Sequence, residues 1–415
     1  MEYNILQLII CILVSIGGCY YLCKNQDKKM KIFYILFFVF FTLYSGIGGT
    51  MKGANPIYMY YYYGYLAVFV LTSYYLQNKK HQENNISEEN ILLRFIDSYG
   101  SKFVVLYILV SLAELAFPVN RLGLLLNPPN PDIAERLDFY REGSNNGLFT
   151  YLGVLLFPFF YFGLYKYHNN TIKIALILIS ALYITYCKNS YLGRESMLIA
   201  FAIIYFSFYY NSNPSNRKVI ATSTLVSVPL LLIFFLYYSY LRVGEEVGGN
   251  IGLGDAFLTL IAQESNYPLH FDSYFHKSGN LIAEYTEWLI LLPFPSFFKM
   301  GHGGTLFNEL FTNVAINRFS WESGFSIALP GIVGEAIFVF KNLFFLHAFI
   351  LANIVHITMN YVRRYECFLY LFFFAAIKIP MGISRSGTQG VYSIIGKALV
   401  FVLVMFIYKR SSKKA

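Results

Sequence analysis

Charged residues, cysteines and tryptophans are all scarce in this sequence. Only 13% of its 415 residues are charged, about half the share that soluble domains carry, whereas 56% are hydrophobic. This balance excludes an ordinary soluble domain and indicates a chain surrounded by lipid. The five cysteines lie in or beside apolar segments without metal-ligand spacing, which is typical of small buried side chains.

The sequence also lacks the motifs of two large enzyme classes. It contains neither HExxH, a zinc-protease signature, nor GxxxxGK[ST], the loop that holds nucleotide phosphates, and its loops have no Asp-x-Asp pair. The net charge of +9 does not indicate nucleic acid, because the lysines cluster in short loops beside apolar runs. We therefore expect no cofactor, no metal and no nucleic-acid partner.

Eleven apolar segments are long enough to cross a bilayer, which takes about 20 residues, or somewhat fewer where the ends are aromatic. The first is interpreted as a retained helix, because lysines follow it instead of preceding it. We predict an all-α polytopic membrane protein forming a single membrane-embedded domain, 1–415. Its spans are approximately 5–23, 32–50, 56–77, 101–119, 147–167, 172–188, 197–211, 219–241, 332–357, 367–382 and 391–408.

Lysine and arginine are concentrated in one alternating set of short segments. Because cytoplasmic loops carry the excess of basic residues, this set predicts an external N-terminus and a cytoplasmic C-terminus. The tyrosines at 58 and 60–63 then lie at the outer end of the third span, where we expect an interfacial aromatic belt. The basic set is Lys24, Lys28, Lys29, Lys31, Lys79, Lys80, Arg94, Lys102, Lys166, Lys173, Arg217, Lys218, Arg363, Arg364, Lys409, Arg410, Lys413 and Lys414.

The largest predicted external loop covers residues 242–331. It is far too long for a connector, so function is expected there. Within it, the apolar stretch 288–298 is too short to cross and contains Pro293 and Pro295, which favours a re-entrant or interfacial element. A crossing at this point would also place Arg363 and Arg364 outside, against the charge pattern.

Arginine is enriched on the external side. Lysine serves topology equally well, whereas the planar guanidinium can bind a phosphate through two hydrogen bonds at once. Arg194 and Arg385 lie in short external turns, Arg242 ends the eighth predicted span, and Arg318 precedes the return to the membrane. We predict that these four arginines bind an anionic headgroup such as a lipid pyrophosphate. Arg136 and Arg141 have helical spacing to acidic residues, which favours solvent-exposed ion pairs.

Two external residues are candidates for general-base chemistry. Glu335, in PGIVGEAI, lies just inside the ninth predicted span, where a carboxylate needs a partner, and we expect an arginine. His302, in MGHGGT, lies in a glycine-rich loop after the short apolar element. Either residue could orient or deprotonate an acceptor hydroxyl.

The layout of the chain resembles the bacterial oligosaccharide repeat-unit polymerases, the Wzy-type O-antigen and capsule polymerases. Gly193 and Arg194 match the family's Gly-Arg turn that opens a span, and Arg242 matches the arginine before the large loop. Pro330, Gly334 and Glu335 match the Pro…Gly-Glu entry into the next helix. An Arg-x10-Gly motif of some members is not cleanly present, because Gly331 lies thirteen positions after Arg318.

This resemblance implies a GT-C-like fold and a metal-independent hexosyltransferase of the bacterial cytoplasmic (inner) membrane. Donor and acceptor would both be polyprenyl-pyrophosphate-linked glycans, with membrane lipids, a chain-length regulator and a flippase as further partners. The four arginines would hold the pyrophosphate, and Glu335 or His302 would act on the acceptor. Alternatives are an O-antigen ligase, a lipid-linked oligosaccharide flippase or transporter, for which Lys378 and Lys397 inside late spans argue, and a non-catalytic scaffold.

Overall fold

Every regular element in the part of the chain that the structure describes is helical. This structure is a computed structural model, and it describes residues 4–24, 26–51, 53–77, 86–117, 120–129, 147–189, 192–220, 222–223, 271, 281–291 and 331–412. The main helices are α1 Ile5–Cys23, α2 Lys28–Phe41, α3 Pro56–Gln77, α4 Ile86–Ala116, α5 Gly147–Leu164, α6 Thr171–Asn189, α7 Arg194–Asn211, α8 Ile282–Leu291, α9 Gly331–Phe340, α10 Phe344–Arg363, α11 Leu369–Ser386 and α12 Thr388–Ser412.

Short 3-10 or π-helical turns extend or join several of these helices. A π-helical turn, Thr42–Gly46, continues α2 towards Gly49. Four 3-10 turns lie at Leu122–Leu125, Tyr165–Tyr167, Lys341–Leu343 and Glu366–Phe368. The N-terminus of α2 is fixed by Asp27, whose carboxylate accepts the Met30 amide at 2.8 Å.

Seven helices in the described residues are long and apolar enough to cross a bilayer. They are Ile5–Cys23, Lys28–Gly49, Glu88–Ala116, Leu148–Tyr167, Thr171–Asn189, Gly331–Arg363 and Glu366–Arg385. The chain is therefore a polytopic helical membrane protein. Helices α3, α7 and α12 coincide with predicted spans but are not among these seven, and most of the predicted span 219–241 lies outside the described residues.

The helices belong to two compact units. Unit 1 comprises Met1–Glu83, Ile261–Arg364 and Ala375–Lys397, and unit 2 comprises Asn84–Leu260, Tyr365–Phe374 and Ala398–Ala415. The core of unit 2 is aromatic. Phe162 packs edge-to-face against Phe368 and Phe401, with ring centroids 5.3 Å apart in both pairs. Close approach of α4 and α5 depends on Gly100 and Gly163, since a Cβ added at Gly163 would lie 2.6 Å from the Gly100 carbonyl oxygen.

The core of unit 1 is built on one face of the tyrosine-rich helix α3. Tyr58, Tyr61, Tyr62 and Tyr65 recur at helical spacing and are all buried, whereas Tyr60 is 71% exposed. Their hydroxyl groups find partners inside the unit; Tyr58 donates to the Ser45 carbonyl of the π turn at 3.0 Å. The expectation of an aromatic belt is therefore wrong for Tyr58, Tyr61 and Tyr62, because burial against other helices overrides the interfacial preference of tyrosine.

The predicted span 332–357 is not one straight helix. Lys341, with φ of 47°, interrupts it between α9 and α10. Glu335 and His347 are twelve residues apart in sequence, yet Glu335 Oε1 lies 3.3 Å from His347 Nε2. In an unbroken helix, their backbones would be separated by about 18 Å along the helix axis. The chain therefore turns back on itself, and α9, with nine of its ten residues buried, packs beside the start of α10.

Candidate functional site

A buried glutamate lies at the centre of unit 1. Glu335, on α9, is 1% exposed. Its Oε1 accepts a hydrogen bond from the Tyr285 hydroxyl on α8, and its Oε2 accepts one from the Thr388 backbone amide at 2.8 Å. Among the described residues, the partners of this carboxylate are a phenol, an amide and an imidazole, and none of them is the expected arginine.

His347 joins the same cluster from α10 and uses both ring nitrogens. Its Nε2 lies 3.3 Å from Glu335 Oε1 and 3.0 Å from Thr388 Oγ1. Its Nδ1 lies 3.0 Å from the hydroxyl of Tyr65 on α3. The Tyr285 hydroxyl lies 2.8 Å from Thr388 Oγ1 and so closes a ring of hydrogen-bonding groups. We name Tyr65, Tyr285, Glu335, His347 and Thr388 the Glu335 cluster.

The turn between α11 and α12 is shaped to meet this carboxylate. Gly387 has φ of +68°, a conformation that costs side-chain-bearing residues about 1–2 kcal/mol. A Cβ added there would also overlap Glu335 Oε2. Glycine is thus required for two reasons: it permits the left-handed turn, and it lets the Thr388 amide point directly at the carboxylate.

The phenol of Tyr285 is a donor in this arrangement. Burial, followed by the neighbouring Glu335 carboxylate, raises the pKa of Tyr285 well above its usual range. At neutral pH the hydroxyl therefore keeps its proton. Since a phenol has a single proton, donation to Glu335 leaves the Tyr285 oxygen to accept from Thr388.

Of the four predicted arginines, Arg385 is the one whose side chain lies within the described residues. Arg385 lies in the last turn of α11, three residues before Thr388, and its side chain is exposed. It therefore belongs to the same turn whose amide binds Glu335. Arg194 begins α7, but its side chain, together with Arg242, Arg318 and His302, lies outside the described residues.

Two short helices contribute side chains to the Glu335 cluster. Helices α8 and α9 have ten residues each, about 15 Å or half the thickness of the hydrocarbon core. Helix ends and interrupted helices at membrane level are tolerated where they are buried in protein or line a polar site, and transporters and membrane enzymes use them to position charged groups. Ionisable residues inside a span are, by the same reasoning, functional candidates.

Sequence reasoning identified Glu335 and the Arg385 turn but missed the other members of the cluster. His347 gave the clearest available signal, because it is a histidine within the apolar run FFLHAFILAN. Gly387 and Thr388 lie in the turn SRSGTQG that drew attention for its arginine. Tyr65 and Tyr285 carry no local signal, since tyrosine is abundant throughout the chain.

No group of three or more His, Cys, Asp or Glu side chains in the described parts of the chain is arranged to hold a metal ion. The prediction of a metal-independent reaction stays a prediction. Comparison with protein-family models, with characterised proteins and with solved structures finds no match to this chain.

Proposed function

We propose that this protein is a membrane glycosyltransferase that polymerises polyprenyl-pyrophosphate-linked oligosaccharide repeat units on the outer face of the bacterial cytoplasmic membrane. In this proposal it has about eleven spans in a GT-C-like arrangement, an external N-terminus and a cytoplasmic C-terminus. It needs no metal or cofactor, and it works beside a flippase and a chain-length regulator. O-antigen or capsular polysaccharide would be the product.

One observation carries the proposal: the Thr388 amide hydrogen-bonds Glu335 at 2.8 Å in the turn that bears Arg385. A guanidinium suited to a diphosphate and a carboxylate suited to accept a proton are thereby held together by one short segment. These were the two chemistries expected of the reaction from sequence, and they come from distant positions in the chain.

The position of the cluster along the helices also supports the proposal. Glu335 and His347 flank the start of α10, Thr388 begins α12, and Tyr65 lies nine residues into α3. The charge pattern predicts that the starts of these three helices are external. The Glu335 cluster would therefore lie near the outer membrane surface, where lipid-linked glycans are joined.

In the proposed reaction Arg385 binds the pyrophosphate of the donor lipid and stabilises the charge that develops as this group leaves. Glu335 removes the proton from the acceptor hydroxyl, and Tyr285 and the Thr388 amide hold the carboxylate in position.

The test uses purified full-length protein and a synthetic lipid-linked repeat unit, with products resolved by chain length. We expect a ladder of polymers from the unaltered protein. Arg385→Ala should lower the rate about 10²–10³-fold, as loss of an oxyanion donor does, and Glu335→Gln by about 10²-fold or more. Arg410→Ala, which removes an exposed arginine at the other end of α12, is the matched control and should leave the rate close to unchanged.

Cells provide the second arm of this test. A strain without the protein should accumulate glycan capped with a single repeat unit, and the unaltered gene should restore the polymer. Accumulation of long unattached polymer would instead identify a ligase. Wild-type-like polymer from cells that carry Arg385→Ala and Glu335→Gln together would remove the proposed site.

A proton-coupled transporter of lipid-linked glycans is the second candidate. The specific observation in its favour is a glutamate and a histidine in contact, 3.3 Å apart, on interrupted helices inside the membrane region. Proteoliposomes separate the two candidates. Translocation of the lipid-linked unit driven by a pH gradient, without any growth in chain length, would establish transport and exclude polymerisation.

A further inference from the structure

The two ring nitrogens of His347 have different kinds of partner. Nδ1 faces only the hydroxyl of Tyr65 among its hydrogen-bonding contacts in the described residues, at 3.0 Å. Nε2 faces the Glu335 carboxylate at 3.3 Å and the Thr388 hydroxyl at 3.0 Å. A hydrogen bond to one ring nitrogen of a histidine selects the tautomer and thereby sets whether the other nitrogen carries a proton.

In the part of the chain that the structure describes, His347 is the one titratable base beside the carboxylate. The ionisable or hydroxyl groups that face it are Tyr65 from α3, Tyr285 from α8 and His347 from α10, together with Thr388. On the neighbouring stretches, Glu287 of α8 and Arg385 of α11 are exposed. A buried carboxylate without a fixed cation needs either a proton or a charged imidazole.

We propose that Glu335 and His347 share a single proton, and that His347, held by Tyr65, is the positioning residue that takes up the proton which Glu335 removes from the acceptor. Its reaction role rests on the function proposed above. Nδ1–H donates to Tyr65 throughout, so the mobile proton moves between Glu335 and Nε2. The pair therefore stays electrically neutral as the proton moves within it.

Before the transfer, the shared proton lies on His347 Nε2, and Glu335 is a carboxylate. The acceptor O–H bond breaks and its proton goes to the Glu335 carboxylate, while the acceptor oxygen forms the new bond to the donor sugar. The sugar–phosphate bond breaks, and its electron pair leaves with the lipid pyrophosphate. His347 Nε2 then loses the shared proton to water, and the proton taken up by Glu335 moves to Nε2 directly or through the hydroxyls of Tyr285 and Thr388, which are 2.8 Å apart, so that the pair again holds one proton.

Trp288 provides a reporter that does not depend on substrate. Its ring centroid lies 5.6 Å from that of Tyr285, and the chain has only one other tryptophan, Trp321. In a Trp321→Phe background, the fluorescence of substrate-free full-length protein in nanodiscs is followed from roughly pH 5 to pH 9, the range that brackets histidine titration. We expect one titration step.

Glu335→Gln and His347→Gln should each abolish this step. His356→Gln is the matched control, because His356 is a second buried histidine on α10 whose hydrogen-bond partner at 2.7 Å is Asn360 instead of Glu335. Glu287→Gln, one residue from the reporter, controls for direct charge effects. Persistence of the step in His347→Gln, or its loss in His356→Gln, would overturn the shared-proton assignment.

Tyr65→Phe tests the same assignment with both titrating groups retained, and it is the decisive variant should His347→Gln fail to fold. Removing the acceptor of Nδ1–H should move the midpoint of the fluorescence step by about half a pH unit or more. Tyr61→Phe, on the same helix but hydrogen-bonded to Asn342, is its control and should leave the midpoint in place. An unmoved midpoint in Tyr65→Phe would overturn the role given to Tyr65.

The rate profile then connects the pair to the reaction. His347→Gln should lower kcat about 10-fold to 10²-fold with little change in KM, and should shift the acid limb of the pH–rate profile to higher pH. A purely structural histidine would lower the rate equally at every pH. A fluorescence step without any polymerisation by the unaltered protein would refute the proposed function and leave the shared-proton assignment intact. Polymerisation without the step would refute the shared-proton assignment and leave the proposed function intact.

Discussion

Each of the two units contains a buried glutamate, and the two are neutralised differently. In unit 2, Glu114 is 8% exposed and meets the ammonium of Lys188 at 2.7 Å and the hydroxyl of Thr150 at 2.6 Å. In unit 1, Glu335 is 1% exposed and meets hydroxyls, a backbone amide and an imidazole. Glu114 therefore has a permanent cation beside it, whereas Glu335 has a partner whose charge can change.

This is the difference that we expect between a structural carboxylate and one that takes part in the proposed reaction. An ion pair between lysine and glutamate holds α4 and α6 together at a fixed charge, and it gains little from changing its protonation state. A carboxylate beside an imidazole can exchange a proton with it while the pair as a whole stays neutral. Burial alone does not distinguish the two, but the chemistry of the partners does.

Replacing the glycine beside each glutamate with alanine is expected to give the largest difference in activity between the two sites. Gly387→Ala introduces a Cβ that overlaps Glu335 Oε2 and strains a left-handed turn, so we expect polymerisation to fall by about 10²-fold or more. At Gly153 on α5, an added Cβ would meet its nearest neighbours at 3.9 Å and 4.0 Å, the latter Glu114 Oε2. Gly153→Ala should therefore leave activity unchanged. Equal losses in both variants would show that the two carboxylates are equivalent.

The same comparison shows which features of the site can be predicted from the sequence alone. Membrane spans are predictable because about 20 apolar residues have few alternatives to crossing, and Glu335 is predictable because a carboxylate in such a run requires a reason. The partners of Glu335 are not predictable from the sequence, since Tyr65, Tyr285 and Thr388 come from positions up to 323 residues apart along the chain.

The break between α9 and α10 escaped prediction for a related reason. The sequence GIVGEAIFVFKNLFFLHAF is apolar enough to continue as one span, and no proline interrupts it. Lys341 instead adopts a positive φ, and the chain reverses so that Glu335 and His347 meet. Tertiary packing of α9, which is almost wholly buried, overrides the local helical preference.

Removing one partner of the fixed ion pair should have the next largest effect, and it should appear in stability instead of chemistry. Lys188→Met takes the ammonium from a buried carboxylate, so we expect about 3 kcal/mol of destabilisation. Glu114→Gln should cost less, because the Lys188 side chain is 27% exposed and can turn towards water. The double variant should recover most of the loss. Thermal unfolding in detergent measures all three, and a double variant as unstable as Lys188→Met would contradict the ion-pair account.

An exposed ion pair sets the lower end of this scale. Arg363 Nη1 lies 3.2 Å from Asp27 Oδ2, but the Asp27 side chain is 55% exposed, so solvent screens the attraction. Asp27→Asn removes the charge yet keeps an oxygen that can accept the Met30 amide at the start of α2, and its cost should stay below about 1 kcal/mol. Asp27→Ala also removes the cap and should cost about 1 kcal/mol more. If Asp27→Asn proved as destabilising as Lys188→Met in the same unfolding measurement, partner chemistry and burial would no longer explain which of these charges matter.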